Sequence, residues 1–382
     1  MKLKCHLVIG CSLLVANSCL SLRAQEAQFG VAAPIEITGG AMDTGRAQDY
    51  DPTAPSFTAG VKVLATPLLK LGSHWYAYSA VQVRSIPFFY QDAYSAERQI
   101  DTNVLQGYLG YTRTWRKTTL NFRAGKLASA FGSFPLHYSD TENPLIDQPL
   151  PYTYLAFKPS PGAPSYGLTP VTLYGLPGAE VDLSLRRLDA RFQLTNSNPY
   201  NPLSLTAPNQ HPQWTAGGGY TITQGLRLGV SAYRGPWLDQ SLVSSYPQGM
   251  SFRDFPATGV GIDGQWAHGH WNVSGEWQRF VFNFPRLSHA TAMNFGYLEL
   301  KRNISPRWYV AVRGNDQANN ATASLFLLSR QAYECTAGFR PSRWGLLKVG
   351  YEWMRTPNDP WTHDNVFGIQ FVTTINSLAK AL

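Results

Sequence analysis

Cysteine is almost absent from the main part of this 382-residue chain. Three of its four cysteines, Cys5, Cys11 and Cys19, lie within the first 24 residues, and only Cys335 follows them. Once residues 1–24 are removed, no intrachain disulfide and no cysteine metal site can form. Cys335 lies two residues from apolar Tyr333 and therefore shares its strand face. We interpret Cys335 as a small apolar strand residue and not as a nucleophile.

Long apolar runs are missing after residue 24. The N-terminus carries Lys2 and Lys4, then an apolar run over 7–22 that ends near Ala24, and we predict a cleaved secretory signal peptide over residues 1–24. In residues 25–382 no apolar run reaches the roughly 18 residues that a membrane-spanning helix requires. A helical membrane protein is therefore excluded.

Charge is low and evenly spread. Charged residues make up 15% of the chain and the net charge is +8, of which three positive charges belong to the predicted signal peptide. A nucleic-acid-binding protein would gather its basic residues on one face or stripe, and this sequence shows no such cluster. We therefore expect no nucleic-acid partner.

The segment 103–132 shows what the chain does contain. Leu120, Phe122 and Ala124 alternate with Asn121 and Arg123, which predicts a strand with one apolar and one polar face. The same pattern recurs along the chain, and no amphipathic helix pattern accompanies it to cover the apolar faces. We therefore predict that the apolar faces meet lipid and the polar faces line a lumen.

Repetition of this hairpin sets the predicted fold. Seven hairpins closed by short turns, a first strand in 34–42 and a last strand in 365–375 give sixteen strands; losing or gaining one hairpin would give 14 or 18. We predict an all-β transmembrane antiparallel β-barrel over residues 25–382, with short periplasmic turns and long external loops. A chain of this length has no room for about 22 strands and a plug domain, which excludes the large plugged transporters. The expected location is the outer membrane of a Gram-negative bacterium.

One loop stands out by its length and its proline content. The segment 129–178 would be the third external loop, and long loops in compact proteins are usually functional or disordered. We predict that it narrows the lumen. The candidate constriction residues are Asp140, Glu142, Asp147 and Lys158. A loop exposed to solvent outside the barrel is the alternative.

Alternation assigns charged side chains to the lumen. The candidate pore-lining residues are Lys62, Arg84, Arg123, Arg186, Arg191, Arg227, Arg313 and Glu276. Among them Arg123, Arg186, Arg191 and Arg227 are the expected attractors of anions, because rings of one charge select counter-ions. Carboxylates such as Asp182 and Asp263 fall on the same faces, so pairing across the wall is the competing role.

Three short motifs resemble a known family. Residues 123–126 (RAGK) followed by Phe131-Gly132, residues 176–181 (LPGAEV) and residues 193–199 (QLTNSNP) resemble the phosphate-selective-porin-like family of outer-membrane barrels. The resemblance implies a 16-stranded, often trimeric diffusion channel for anions. The sequence departs from that family's expected lysine-rich channel, because Lys158 is the only lysine in the long loop, and its C-terminus runs past Phe371 instead of ending on an aromatic residue.

Enzymatic function is not expected. The histidines after residue 24 fall mostly in turns and loops, and no nucleophile motif accompanies them. His268 and His270 lack a third metal ligand nearby in the sequence, so we predict no metal site and no cofactor.

The sequence thus predicts a porin that lets small polar or anionic solutes diffuse passively. Its expected partners are those solutes, outer-membrane lipid and lipopolysaccharide, and the family resemblance adds a homotrimer. The alternative is a surface barrel without a channel, which would hold exported polysaccharide on its aromatic loop residues. Those residues would be Tyr152, Tyr154, Tyr166 and Trp237.

Overall fold

The structure is a computed structural model, and only part of the chain is described. The described residues are 29–45, 48, 52–53, 55–86, 88, 99–153, 155–157, 166–168, 170–196, 212–237, 246–285, 290–319, 329–355, 365–375 and 380–381. The predicted signal peptide over 1–24 and the predicted constriction residue Lys158 lie outside them. Within the described residues, no helix is both long and apolar enough to cross a membrane.

Sixteen antiparallel strands form one closed barrel, as predicted. Their bounds are β1 Ile35–Thr44, β2 Phe57–Ala65, β3 Trp75–Ile86, β4 Gln99–Trp115, β5 Thr118–Ala128, β6 Tyr174–Leu185, β7 Leu188–Asn196, β8 Pro212–Thr223, β9 Leu226–Pro236, β10 Pro256–His268, β11 Trp271–Phe282, β12 Thr291–Asn303, β13 Trp308–Asn319, β14 Arg330–Phe339, β15 Gly345–Arg355 and β16 Asn365–Ile375. Each strand pairs with the next in the chain, and β1 pairs with β16 to close the barrel.

Short accessory strands extend this framework. Phe29–Ala32 pairs with Leu68–Leu71 and with Lys380–Ala381 at the turn end of the barrel. Leu155–Phe157 pairs with Tyr166–Leu168 within the segment between β5 and β6.

Burial follows the alternation of the sequence. On β16, Phe367, Ile369 and Phe371 are exposed on the outer surface, whereas Val366 and Gln370 are buried inside. Successive strand side chains point to opposite faces, so one strand serves both environments. The result is a barrel with an apolar outer band and an inner wall rich in polar side chains.

The turn end of the barrel is built from short connections. Arg116 and Arg186 adopt positive φ values of 54° and 52° in two of these turns. Arg186 was predicted to lie on the lumen face as a strand residue. That prediction is wrong, because β6 ends at Leu185 and Arg186 forms the turn with Arg187. Alternation cannot be extended through a tight turn, and Arg186 is exposed at the rim.

Exposed tryptophans mark the outer surface beside the turns. Those at the turn end are Trp75, Trp115, Trp266, Trp271, Trp308 and Trp344. Trp214 and Trp353 are exposed toward the loop end, whereas Trp237 is buried. Two aromatic belts are typical of barrels that span a bilayer.

The long connection between β5 and β6 is shorter than predicted. β6 begins at Tyr174, so the connection covers 129–173 and not 129–178. Pro177 and Gly178, which indicate a loop in the sequence, lie in the ladder opposite Lys126 and Gly125 of β5. Gly178 has no room for a side chain, since an added Cβ would lie 2.0 Å from the backbone oxygen of Leu194.

Candidate functional site in the barrel lumen

The segment 129–153 of the long loop lies inside the barrel, where its contacts are with inward-facing side chains of the wall. Ala130, Phe131, Leu145 and Leu150 are buried. The wall residues that hold the segment come from several strands, mainly β1, β2, β11, β13, β14 and β15. Six charged residues among them form what we call the anchor set: Glu36, Lys62, Glu276, Arg313, Glu334 and Lys348.

Glu276 on β11 is the most extensively bonded member of the anchor set. One carboxylate oxygen accepts hydrogen bonds from the backbone N–H of Ser133 (3.0 Å) and Phe134 (2.8 Å), and from the hydroxyl groups of Ser133 (2.8 Å) and Tyr297 (2.8 Å). The other accepts from the Tyr152 hydroxyl (2.6 Å) and the Gln278 amide (2.6 Å). Glu276 was predicted to line the pore, but it is buried and all its observed bonds hold the loop or the wall.

Gly132 makes this contact possible. It adopts a left-handed φ of 73°, and a Cβ added there would lie 2.1 Å from the Tyr152 hydroxyl and 2.7 Å from a Glu276 carboxylate oxygen. Glycine takes positive φ without steric cost. The loop can therefore turn directly against the carboxylate that receives its next two amides.

Asp140 is the loop residue that contacts the wall at β1 and β2, away from the Glu276 site on β11. Its carboxylate lies 2.5 Å from Lys62 Nζ on β2 and accepts a hydrogen bond from the Thr38 hydroxyl on β1 (2.7 Å). Burial acts to raise the pKa of Asp140, but Lys62, Lys348 and the hydrogen bond from Thr38 outweigh it and lower the pKa below its ordinary value. Glu36 on β1 accepts the backbone N–H of Asp140 at 3.0 Å, which fixes the same turn of the loop.

Lys348 and Arg313 hold the middle of the loop through its carbonyl groups. Lys348 Nζ donates to the backbone oxygens of Asp140 (2.6 Å), Asn143 (2.8 Å) and Leu145 (2.9 Å). Arg313 donates to the backbone oxygen of Asp147 (2.9 Å) and to the side-chain oxygen of Asn143 (3.2 Å). These carbonyls are buried, so their hydrogen bonds replace those that water would otherwise make.

Arg313 is itself held between carboxylates. It pairs with Glu299 on β12 at 2.9 Å and with Glu334 on β14 at 3.4 Å. Glu334 in turn accepts the backbone N–H of Ile146 at 2.9 Å. On this side of the wall the loop therefore forms hydrogen bonds with both cationic and anionic side chains.

Apolar packing completes the attachment of the loop. Phe131, Phe134, Leu150 and Tyr152 from the loop are buried in one cluster with side chains of the inner wall. The wall members include Tyr233, Phe280, Phe295 and Tyr297. Burying an aromatic or leucine side chain stabilises by about 1.5–3 kcal/mol, so this cluster strongly favours the inward position.

A second group of inward charges lies on β5–β10, and we call it the arginine cluster. Its members are Arg123, Glu180, Asp182, Asp189, Arg191, Arg227 and Asp263. Arg123 pairs with Glu180 at 2.6 Å and with Asp182. Arg227 lies 2.7 Å from both Asp189 and Asp263.

Water reaches the arginine cluster but not the core of the anchor set. The side chain of Asp189 is 35% exposed and that of Arg123 is 20% exposed, whereas those of Arg313 and Glu334 are 0% exposed. Arg191 joins the two regions, because it donates to the backbone oxygen of Gly132 in the loop (3.2 Å). Water therefore reaches the arginine cluster at Asp189, Arg123 and Arg227, whereas its carboxylates Glu180, Asp182 and Asp263 are buried.

The remaining predicted residues divide in the same way. Arg84 lies 3.9 Å from Asp101 near the loop end of the barrel. Asp147 is buried and its backbone oxygen receives Arg313, whereas Glu142 is exposed. Asn143 and Ser133 contact the anchor set directly but carry no charge, so alternation and charge could not identify them.

Two further expectations can be placed on the structure. Tyr152 and Trp237, named for sugar stacking in the alternative function, are both buried in the apolar cluster. Tyr154 and the side chain of Tyr166 lie outside what the structure describes. In the part of the chain that the structure describes, no three histidine, cysteine or acidic residues lie together as metal ligands.

Comparisons with known proteins bear on the fold. No family model matches the sequence, and no curated protein matches it. Similar solved structures include OprB of Pseudomonas putida at high pH, with a TM-score of 0.58 and 12% identity over 91% of this chain and 94% of that chain.

Two other outer-membrane proteins have the same architecture. OmpF of Salmonella typhi, solved with daunomycin, gives a TM-score of 0.57 at 8% identity over 92% of this chain and 99% of that chain. OmpT of Vibrio cholerae, expressed in the outer membrane, gives 0.55 at 8% identity over the same shares. Identities this low show the fold alone, which is that of outer-membrane barrels, and the resemblance to the phosphate-selective-porin-like family stays a prediction.

Proposed function

We propose that this protein is a porin-like channel of the bacterial outer membrane, through which small polar solutes diffuse passively. The observation that carries the proposal is the uneven inner wall. The anchor set fixes a loop against one part of the wall, and the arginine cluster leaves charged side chains in contact with water on another part. A wall of sixteen strands encloses a lumen too wide for its own side chains to fill.

The membrane location is supported by the outer surface. Exposed leucine, valine, isoleucine and phenylalanine side chains form its middle, and most of the exposed tryptophans flank them toward both ends, with Trp277 between. We propose that the short turns face the periplasm, that residues 1–24 direct export and that the barrel contacts outer-membrane lipid and lipopolysaccharide. A homotrimer belongs to the same proposal, and one structure of Vibrio cholerae OmpT is described as a trimer form.

Charge selectivity in this proposal is weak. The arginines expected to attract anions do not stand free: Arg123 and Arg227 each lie between two carboxylates. Opposite charges at this distance cancel most of each other's field beyond a few ångströms in water. Small neutral and zwitterionic solutes therefore fit the wet wall as well as anions do, and phosphate selectivity is not part of the proposal.

The proposal assigns no catalytic role to the lumen. In the arginine cluster Arg123 and Arg227 pair with carboxylates and Arg191 donates to the loop, and the charged side chains of the anchor set bind the loop or the wall. Their proposed work is to hold the loop and to keep one side of the lumen wet.

Single-channel recording in planar bilayers tests the channel. Purified, folded barrel should give stable conductance steps, and liposomes that contain it should swell faster in small sugars than in large ones. Folded barrel that inserts but gives neither steps nor swelling would refute the proposal.

A matched pair of cysteine variants tests which face is wet. In a Cys335→Ser background, Leu188→Cys lies on the outer face and Asp189→Cys on the inner face, one residue apart on β7. A water-soluble thiol reagent should label Asp189→Cys in bilayers and reduce its conductance, while Leu188→Cys stays unlabelled. Equal labelling at both positions would contradict a lipid-facing outer surface.

A further inference from the structure

The short turns at one end of the barrel carry several positive charges and no acidic residue. Eight exposed cations in the turns and the adjoining strand ends form what we call the basic rim: Arg113, Arg116, Lys117, Arg186, Arg187, Arg302, Arg307 and Arg343. The seven turns between paired strands at this end contain no aspartate or glutamate. Among the described residues none of these eight cations forms an ion pair with a carboxylate.

Two members of the basic rim point away from the lumen. Arg302 lies in register with Trp271 and Val310, both of which are exposed on the outer surface. Arg113 lies two residues before Trp115 and shares its outer face of β4. These guanidinium groups therefore point outward, next to the apolar outer band, and not into the channel mouth.

Aromatic rings fix the level of the basic rim. The Arg302 guanidinium lies 4.8 Å from the centre of the Trp271 ring, and that of Arg343 lies 4.5 Å from the Trp344 ring. Tryptophan prefers the headgroup level of a bilayer. An arginine stacked on it is held at the same level, where phosphate groups are the available anions.

We propose that the basic rim binds the phosphate groups of anionic phospholipids in the leaflet that meets the turn end. This inference rests on the proposed membrane location. Guanidinium groups bind phosphate through two parallel hydrogen bonds, and cations near an anionic surface are attracted to it. An acidic soluble protein or a solute anion would bind cations that point into the channel mouth or away from the membrane. Arg113 and Arg302 instead point outward, toward the lipid.

Spin-labelled lipids test the preference in reconstituted bilayers. The folded barrel in phosphatidylcholine vesicles would be probed with labelled phosphatidylglycerol or labelled phosphatidylcholine, and the immobilised fraction compared. We expect phosphatidylglycerol to be favoured about threefold or more, with the preference lost in about 1 M salt, where screening acts within ~3 Å. The variant R113Q/R302Q removes the two outward-pointing cations and should lower the ratio measurably, with the six other cations of the basic rim still present.

Lys301 supplies the matched control. It precedes Arg302 on β12 but points inward, with its Nζ 4.6 Å from the ring centre of Tyr309. K301Q should leave the lipid preference unchanged. Equal loss in K301Q and R113Q/R302Q, or no headgroup preference in the unaltered barrel, would overturn the inference. A chain that immobilises no lipid of either kind would overturn the membrane location itself.

Discussion

Arg313 and Arg227 both pair with carboxylates, but they differ in their exposure to water and in their contacts with the loop. Each guanidinium lies between two carboxylates from other strands, Glu299 and Glu334 for Arg313 and Asp189 and Asp263 for Arg227. Arg313 also donates to the loop and has no exposure. Among the described residues Arg227 donates only to the wall carboxylates of Asp189 and Asp263, and its side chain is 16% exposed.

The difference shows how one wall performs two tasks. Where loop amides and carbonyls lie within hydrogen-bond distance, buried charges bind them and the lumen is filled. In the arginine cluster, where only Arg191 contacts the described part of the loop, similar ion pairs leave Asp189 and Arg227 partly exposed to water. Buried charges tolerate the loss of water only when hydrogen bonds replace it, so the anchor set should be sensitive to single changes and the arginine cluster should not.

Removal of Glu276 should have the largest effect. Glu276→Ala leaves the amides of Ser133 and Phe134 without their acceptor inside the barrel, which favours release of the loop from β11. We expect single-channel conductance to rise about twofold or more, since the lumen of sixteen strands is wide once the loop moves. Ser274→Ala, two residues nearer the turn on the same strand, should conduct like the unaltered barrel. A normal conductance for Glu276→Ala would mean that the loop does not narrow the passage.

Removal of the Lys348 ammonium should lower stability. Lys348→Met leaves three buried carbonyls without their donor. We expect unfolding in urea to need about 3 kcal/mol less free energy. Lys301→Met, which removes a half-buried lysine without such bonds, is the control. If both variants unfold at the same urea concentration, the carbonyl contacts do not stabilise the loop.

The sequence predicted the fold well because alternation acts on every strand. Sixteen strands, the outward face of Phe122 and the inward face of Arg123 all follow from a period of two residues. The same rule fails at Arg186, where a tight turn interrupts the period, and at Pro177, where a loop-forming residue is accepted in the ladder.

The division of the lumen could not be predicted. Lys62 and Arg227 are both inward cations in the sequence, and their difference depends on where Asp140 of the loop lies, about eighty residues from either. Contacts of this kind join residues far apart in the chain, and the partners of the loop backbone include neutral side chains such as Asn143. Pattern and charge therefore identify the inner face but not which part of it is dry.

Loss of Arg227 should change selectivity. Arg227→Gln leaves the exposed carboxylate of Asp189 and the buried carboxylate of Asp263 without their shared cation, so the lumen gains negative character. We expect the ratio of cation to anion permeability to rise about twofold, from reversal potentials in a salt gradient. Asp189→Asn should shift that ratio in the opposite direction. Variants that move it the same way would show that the arginine cluster does not line the conducting path.

Acid should release the loop only far below neutral pH. Asp140 lies in the loop, and its lowered pKa means that its contribution to docking is complete above the ordinary aspartate pKa of about 4 and is lost as the pH falls through the lower folded value. Conductance should therefore stay constant between about pH 8 and pH 5 and rise only below about pH 4. In Asp140→Asn this late rise should be weaker, because the pair with Lys62 no longer titrates. A rise near pH 6 in the unaltered barrel would show that a group other than Asp140 controls the release of the loop.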